Sequence, residues 1–316
     1  MALTVASAGF VNAHLSLSRT AALAYTLHVL ECIGGHLAPA LALSGAATLL
    51  LASAVTAAPS LHGTHLSLAV AQQLDTRLLL AAVTVVTCAA VGGHRGSTSG
   101  AAHGGAWGFA RVVRLEHPAL RTRSVDVSHG ASETARLALS VPEAEATCCA
   151  GACCVARLRA CDAASASTGA LARGLHVITG GLGGLGLRAA AMLVDDGSSL
   201  GVVLSSRSGR AGTSAASVAL MRVAACDVGD AADATSLLAC APFVGALHAA
   251  GVLHDKMLRS MAAAGFDASF SPKALGASHV QRSAACMPLE ALGLFSSIAA
   301  TFGTVGQANY AAANAY

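Results

Sequence analysis

Residues 175–206 constrain the fold more than any other stretch. LHVIT (175–179) is apolar, β-branched and of strand length. GGLGGLG (180–186) follows as a turn, LRAAAMLVDDG (187–197) as a helix ending at Gly197, and GVVLSS (201–206) as a second strand. Further strands are expected at MRVAAC (221–226), FVGALHAAG (243–251) and ALGLFSS (291–297). Strands that alternate with helices imply an α/β fold, a doubly wound parallel sheet with helices on both faces. Ligands on such sheets bind beyond the carboxyl ends of the strands, at the switch point.

The first half has strands and helices but no glycine turn of this kind. RLLLAAVTVV (77–86) reads as a buried strand and HRGSTSGAAHGG (94–105) as a loop. AWGFARVVRLEH (106–117) carries Trp107, Ala110, Val113 and Leu115 at helical spacing, and Pro118 helps to end that helix. RSVDV (123–127) reads as a strand. A small-residue linker, ACDAASASTGALARG (160–174), joins the halves. Two domains are expected, 1–165 and 170–316, which suits 316 residues at roughly 100–200 per domain.

Composition excludes several classes. Hydrophobic residues make up 54%, enough for a large core and against disorder. A net charge of +3 is no nucleic-acid footprint, and 3% aromatics leave no base-stacking platform. The 10 cysteines do not suggest a disulfide scaffold, since six are scattered singly. Cys148, Cys149, Cys153 and Cys154 cluster without C-x2-C spacing, so reduced thiols are expected there and no metal site. Residues 38–58 are 21 residues without a charge, long enough to span a bilayer. Dilution by Ala, Ser, Thr, Gly and Pro, with no flanking basic cluster, favours a buried α/β element over a membrane span. No basic region precedes an apolar core at the N-terminus, so a signal peptide is not expected. A cytoplasmic protein is expected, with a plastid transit peptide as the alternative because acidic residues are scarce there.

Three constellations carry chemistry. Thr179 to Gly186 contains G-x-G-x-x-G at Gly181, Gly183 and Gly186, and T-G-x-x-x-G-x-G at Thr179, Gly180, Gly184 and Gly186. Such glycines permit a tight turn and let the backbone approach a pyrophosphate, which meets the N-terminal N–H groups of the next helix. A nucleotide site is expected here. The second strand ends in Ser205-Ser206-Arg207. An arginine where an NAD site has an acid suits a 2′-phosphate, so NADPH is expected over NADH. Asp227 and Val228 follow the third strand, where a carboxylate can accept from an adenine amino group. Ser297 precedes Tyr310 by 13 residues, and Tyr310 and Asn314 share one helix face. A tyrosine so placed can protonate a carbonyl oxygen that the serine also holds. Lysine occurs only at Lys256 and Lys273, and Lys273 is the candidate cation beside the tyrosine. His248 and His254 read as structural histidines.

With these motifs in hand, the second half resembles the ketoreductase domain of type I polyketide synthases and animal-type fatty-acid synthases, in the short-chain dehydrogenase/reductase superfamily. TGGLGGLG, LSSRSG, ACDV, HAAGVLHD, SPKALGA, LFSSIAATFG and GQANYAAANAY follow the family pattern in order over 175–316. Most superfamily members carry Y-x-x-x-K. Here Asn314 stands four after Tyr310 and the lysine lies 37 residues before it, as in the synthase ketoreductases. The resemblance implies Tyr310 as proton donor, Ser297 orienting the carbonyl, and Lys273 and Asn314 completing a tetrad. It implies NADPH held by Thr179, Gly180, Gly181, Gly183, Gly184, Leu185, Gly186, Ser206, Arg207, Asp227, Val228, Ala249, Ala250 and Gly251. The implied reaction reduces a β-ketoacyl thioester on an acyl carrier protein, beside other synthase domains. Leu253-His254-Asp255 keeps one acid of the B-type signature, so a D-alcohol is expected.

GGAWGFARVVRLEHPALRTRSVDVS resembles the family's structural subdomain, a degenerate Rossmann-like half that binds no cofactor. Segments 208–226 and 228–247 are shorter than the family's, so a trimmed helix is expected on one face. Family members continue past the Tyr310 helix into a further strand and a substrate lid, so the chain resembles a fragment truncated at its C-terminus. The alternatives are a free-standing dehydrogenase of small ketones and a truncated, inactive paralogue that binds nucleotide or serves as a scaffold.

Overall fold

Short β-branched runs pair in parallel in both halves of the chain. The computed structural model describes residues 3–6, 27–30, 47–51, 58–75, 83–91, 102–127, 140–149, 152–158, 173–195, 197, 199–210 and 221–316. Contacts gather the chain into two units, one of residues 1–158, 255–266 and 298–316, the other of 159–254 and 267–297.

In the first unit, β1 (Leu3–Ala6) and β2 (Leu27–Leu30) form a parallel pair. A five-stranded sheet follows, made of β3 (Ala47–Leu51), β4 (Val83–Cys88), β5 (Arg123–Val127), β6 (Glu145–Cys149) and β7 (Ala152–Cys154), in that order. Only β6–β7 is antiparallel. Helices α1 (Leu61–Asp75) and α2 (Gly104–Glu116) lie along the same stretch of chain. Val85, Val125, Phe109, Val112 and Val113 are buried in the unit's core. The Trp107 indole N–H donates to Thr87 Oγ1 at 3.0 Å, and Thr87 donates to the buried Asp126 carboxylate at 2.7 Å. Backbone N–H groups of Ala90 and Val91 also donate to that side chain, so its buried oxygens are supplied with partners.

One expectation changes here, that of reduced cysteines, while an α/β element does lie within 38–58 as expected. The apolar stretch 38–58 contains β3, a strand paired in register with β4, and the rest of that stretch lies outside the described residues. Among the described residues no helix is long and apolar enough to cross a membrane. The cysteines of the CCAGACC run are not all reduced. Cys148 and Cys153 face each other across the β6–β7 hairpin and form a disulfide. The hairpin register brings them together, a pairing that sequence spacing does not reveal.

The second unit holds a wholly parallel sheet of β8 (Gly174–Thr179), β9 (Ser199–Ser206), β10 (Met221–Ala225), β11 (Phe243–His248) and β12 (Ala291–Leu294), in the order β10-β9-β8-β11-β12. This is the doubly wound order, reversing between β8 and β11. Among the described residues, α3 (Gly184–Asp195) follows β8 and α4 (Ala231–Ala239) follows β10. Asp230 caps α4, accepting from the N–H groups of Ala232 and Asp233. The expected trimming between β9 and β10 falls on 211–220, outside the described residues, as does the linker over 159–172.

Between β11 and β12 runs α5 (Ala263–Phe270), a π-helical turn over Ser271–Leu275, and α6 (Gly276–Ala284). Pro272 sits at the start of the π turn. Its ring lacks an N–H, so the regular ladder is interrupted there. The chain ends in α7 (Ile298–Phe302) and α8 (Ala308–Ala315), both in the first unit.

Candidate active site

The second unit builds its site at the reversal between β8 and β11. Gly180 leaves β8 with φ of +66°, a conformation that favours glycine. A Cβ there would lie 2.5 Å from Ala250 Cα, and one at Gly186 would lie 2.6 Å from Gly181 Cα. Gly181 is equally closed, with Ile178 O 2.7 Å from the Cβ position. These three glycines are demanded by the fold itself. Gly184 meets nothing within 4 Å, and Gly183 meets only Gly180 O at 3.3 Å. The open side of the turn therefore lies at the N-terminus of α3, where Gly183, Gly184 and Leu185 are exposed. That shape fits a pyrophosphate, since the turn is packed tightly on one side and leaves Gly184 and Leu185 exposed on the other, while the Gly183 N–H closes the turn on Gly180 O at 3.0 Å.

β9 delivers Ser206 and Arg207. The Ser206 hydroxyl accepts from Gly209 N at 3.2 Å and so shapes the turn, while Arg207 is exposed. Asp227 is exposed after β10, and its Oδ1 accepts from Gly229 N at 3.0 Å. The Val228 side chain instead enters the core with Val177, Phe243 and Val280, and its carbonyl meets His279 Nδ1 at 3.2 Å. Cys226, just before, is buried, and burial beside three aspartates pushes its thiol up to about 11.

β11 delivers His248, Ala249, Ala250 and Gly251. Ala249 N donates to Thr179 O at 2.9 Å, tying the ends of β11 and β8. His248 is buried and bonded on both nitrogens, to Thr179 Oγ1 at 2.7 Å and to Lys273 O at 3.1 Å. Burial, then the nearby Lys273 charge, lowers its pKa to about 4. The ring is thus neutral at pH 7. A carbonyl can only accept, so Nε2 carries the proton, and Nδ1 accepts from the Thr179 hydroxyl. The histidine is structural, and it also links the glycine-turn strand to the lysine's backbone.

Lys273 lies in the middle of the π turn and is 6% exposed. A Cβ on Gly251 would sit 3.8 Å from its Nζ, so the ammonium borders the end of β11. Burial pushes its pKa below the ordinary lysine value. Ser297 is half-buried and stands three residues beyond β12, directly before α7.

The first unit carries Tyr310 and Asn314 on α8. They are one turn apart, and Asn314 Nδ2 donates to the Tyr310 carbonyl oxygen at 2.9 Å. The phenol-bearing residue is half-buried and Asn314 is buried. Two glycines of α2 seat this helix. A Cβ on Gly108 would lie 2.2 Å from Ala311 O, and one on Gly104 would lie 2.8 Å from Ala315 O. Arg111 adds a guanidinium that pairs with both oxygens of Glu145 at 2.7 Å and donates to the Ala300 carbonyl in α7. Sequence reading gave none of these three α2 residues a part in the site. Their only local signal is small residues spaced four apart.

Known proteins similar to this chain identify its family. The KR domain family model matches residues 174–316. The spectinabilin polyketide synthase system protein NorA' of Streptomyces orinoci is 36% identical over 228 residues, covering 66% of this chain and 6% of that protein. A mycocerosic acid synthase-like polyketide synthase of Mycobacterium tuberculosis is 38% identical over 159 residues, 45% of this chain and 7% of that protein. The chain thus spans a small part of the curated relatives it matches. Among solved structures, one of A-type ketoreductases from a modular polyketide synthase aligns with a TM-score of 0.75 at 31% identity. It covers 86% of this chain and 63% of that one. An A1-type ketoreductase aligns with a TM-score of 0.73 at 30% identity, over 92% of this chain and 68% of that one. The chain belongs to the ketoreductase domain family of type I polyketide synthases, within the short-chain dehydrogenase/reductase superfamily.

Proposed function

We propose that the chain reduces the β-keto group of an acyl thioester during polyketide biosynthesis, using NADPH, with the substrate delivered on an acyl carrier protein. The observation that carries this reading is the glycine turn at the β8–β11 reversal. Three of its glycines are closed by the fold, while Gly183 and Gly184 open toward solvent at the start of α3. NADPH supplies the hydride when bound. Gly183, Gly184 and Leu185 would hold its pyrophosphate, and the exposed Arg207 its 2′-phosphate. Ala249, Ala250 and Gly251 would border the nicotinamide half, and Asp227 the adenine.

In this reading Tyr310 gives its phenolic proton to the ketone oxygen as hydride reaches the β-carbon, and Ser297 holds the same oxygen. Lys273 contributes a cation that favours the tyrosinate left behind, and Asn314 completes the tetrad. The D-alcohol is the expected product, on the strength of Asp255, whose carboxylate accepts from Gln307 Nε2 at 2.9 Å.

The test is oxidation of NADPH with a β-ketoacyl N-acetylcysteamine thioester. Turnover faster with NADPH than with NADH, and lowered at least about a hundredfold in Tyr310→Phe, supports the reading. Turnover that survives in Tyr310→Phe overturns the assignment of the acid. Failure of NADPH to bind overturns the reading of residues 179–207.

A further inference from the structure

Glu116, the last residue of α2, stands where a helix disfavours a carboxylate, because the unpaired carbonyls there are already negative. Its local setting gives no reason for the charge. Its distant contacts do. Oε2 accepts from Leu258 N at 2.7 Å, and Oε1 accepts from Gly306 N at 2.8 Å. One carboxylate thus joins two loops far apart in the chain. Leu258 follows the HAAGVLHD stretch, and Gly306 lies four residues before Tyr310.

The two loops also meet each other. Lys256 N donates to Gly306 O at 2.8 Å, and Gln307 Nε2 donates to Asp255 Oδ2. Gln72 of α1 reinforces the first loop by donating to the carbonyls of Leu258 and Met261, both at 2.8 Å. Gly306 has φ of +81° and open space around its Cα, so packing alone does not fix the turn that launches α8. A bidentate acceptor on a rigid helix does fix it, because a carboxylate bonded to two backbone N–H groups defines both a distance and a direction.

We propose that Glu116 is a positioning residue for the reaction. It holds the loop after β11 and the loop before α8 in one register, so that Tyr310 is presented at a fixed place. This rests on the ketoreductase reading given above.

Glu116→Ala removes both acceptors. Glu116→Gln keeps one acceptor oxygen and turns an amide N–H₂ toward the other backbone donor. The expected kcat falls by about ten- to a hundredfold in Glu116→Ala and less in Glu116→Gln, with the KM for NADPH unchanged, as befits a misplaced acid rather than a lost binding group. Amide hydrogen exchange at Leu258 and Gly306 is expected to rise about tenfold or more in Glu116→Ala, with the 174–186 amides unaffected. A kcat within twofold of wild type in both variants overturns the proposal, as does unchanged protection of the two amides. If Glu116→Ala does not fold, the Gln variant decides alone. A wild-type chain that turns nothing over would refute the ketoreductase reading, while the exchange at the two amides would still decide the clamp.

Discussion

At the scale of single residues, His248 shows how burial sets chemistry. Its pKa of about 4 in the fold compares with 6.5 when free. Above 6.5 neither the folded nor the unfolded chain protonates it. As pH falls from 6.5 toward 4, the unfolded chain takes up a proton that the folded chain refuses. Stability supplied by the neutral ring is therefore complete above about 6.5 and lost on acidification, by up to ~3 kcal/mol at the lower end of the window. His248→Gln cannot titrate. Chemical denaturation at several pH values should show a steep loss between pH 6.5 and 4 in wild type and a shallower one in the variant. Equal slopes would show that some other group is responsible, with His176, whose pKa burial also lowers, as the alternative. The histidine's place could be read in the sequence, since it precedes AAG at a strand end. Its two bonds could not, because Thr179 and Lys273 lie 69 and 25 residues away.

At the scale of elements, glycines with the same sequence signature divide by function. Gly108 on α2 is closed by the backbone of α8, whereas Gly184 at the head of α3 is open. Gly108→Ala must push the two helices apart. A backbone collision of this kind costs about 3 kcal/mol, which lowers the Tm by roughly 5–10 °C in a chain of this size. NADPH should still bind, while turnover falls because α8 carries Tyr310. Gly184→Ala should melt at or slightly above the wild-type temperature, since alanine is the better helix former, yet bind NADPH more weakly. Calorimetry with a cofactor titration separates the two. Wild-type melting of Gly108→Ala would sink the idea that α2 seats α8. Other elements differed in how plainly the sequence announced them. RSVDV is a strand over Arg123–Val127, as expected from its branched residues. The helix expected from 187 starts at Gly184, because the turn's last glycines already adopt helical geometry. The π turn around Lys273 had only Pro272 as a signal, and the Cys148–Cys153 bridge had none, because hairpin register is a tertiary fact.

At the scale of the whole molecule, two five-stranded sheets, one wholly parallel and one with an antiparallel edge pair, have been put to different uses. One carries the glycine turn, an exposed arginine and a buried lysine. The other buries Asp126, whose carboxylate accepts from Thr87 Oγ1 and from the N–H groups of Ala90 and Val91, so these donors are taken up by the protein's own anion. The distinction was legible as the absence of a glycine fingerprint before residue 174. What fills the gap was not, since Asp126 and its donors are 35 to 39 residues apart. The consequence is a test of where NADPH acts. A ligand at a hundred times its Kd stabilises the unit it binds by ~2.7 kcal/mol, slowing by roughly a hundredfold the exchange of amides that open only with that unit. Saturating NADPH should therefore protect residues 174–186 and 204–209 in exchange experiments followed by mass spectrometry. Residues 83–91 and 104–127 should exchange as they do without cofactor. Equal protection of both sets would mean either that the first sheet binds nucleotide as well or that the two units open as one. Gly184→Ala distinguishes these, because a second site would keep its protection when the first is weakened, whereas a single cooperative unit would lose both together.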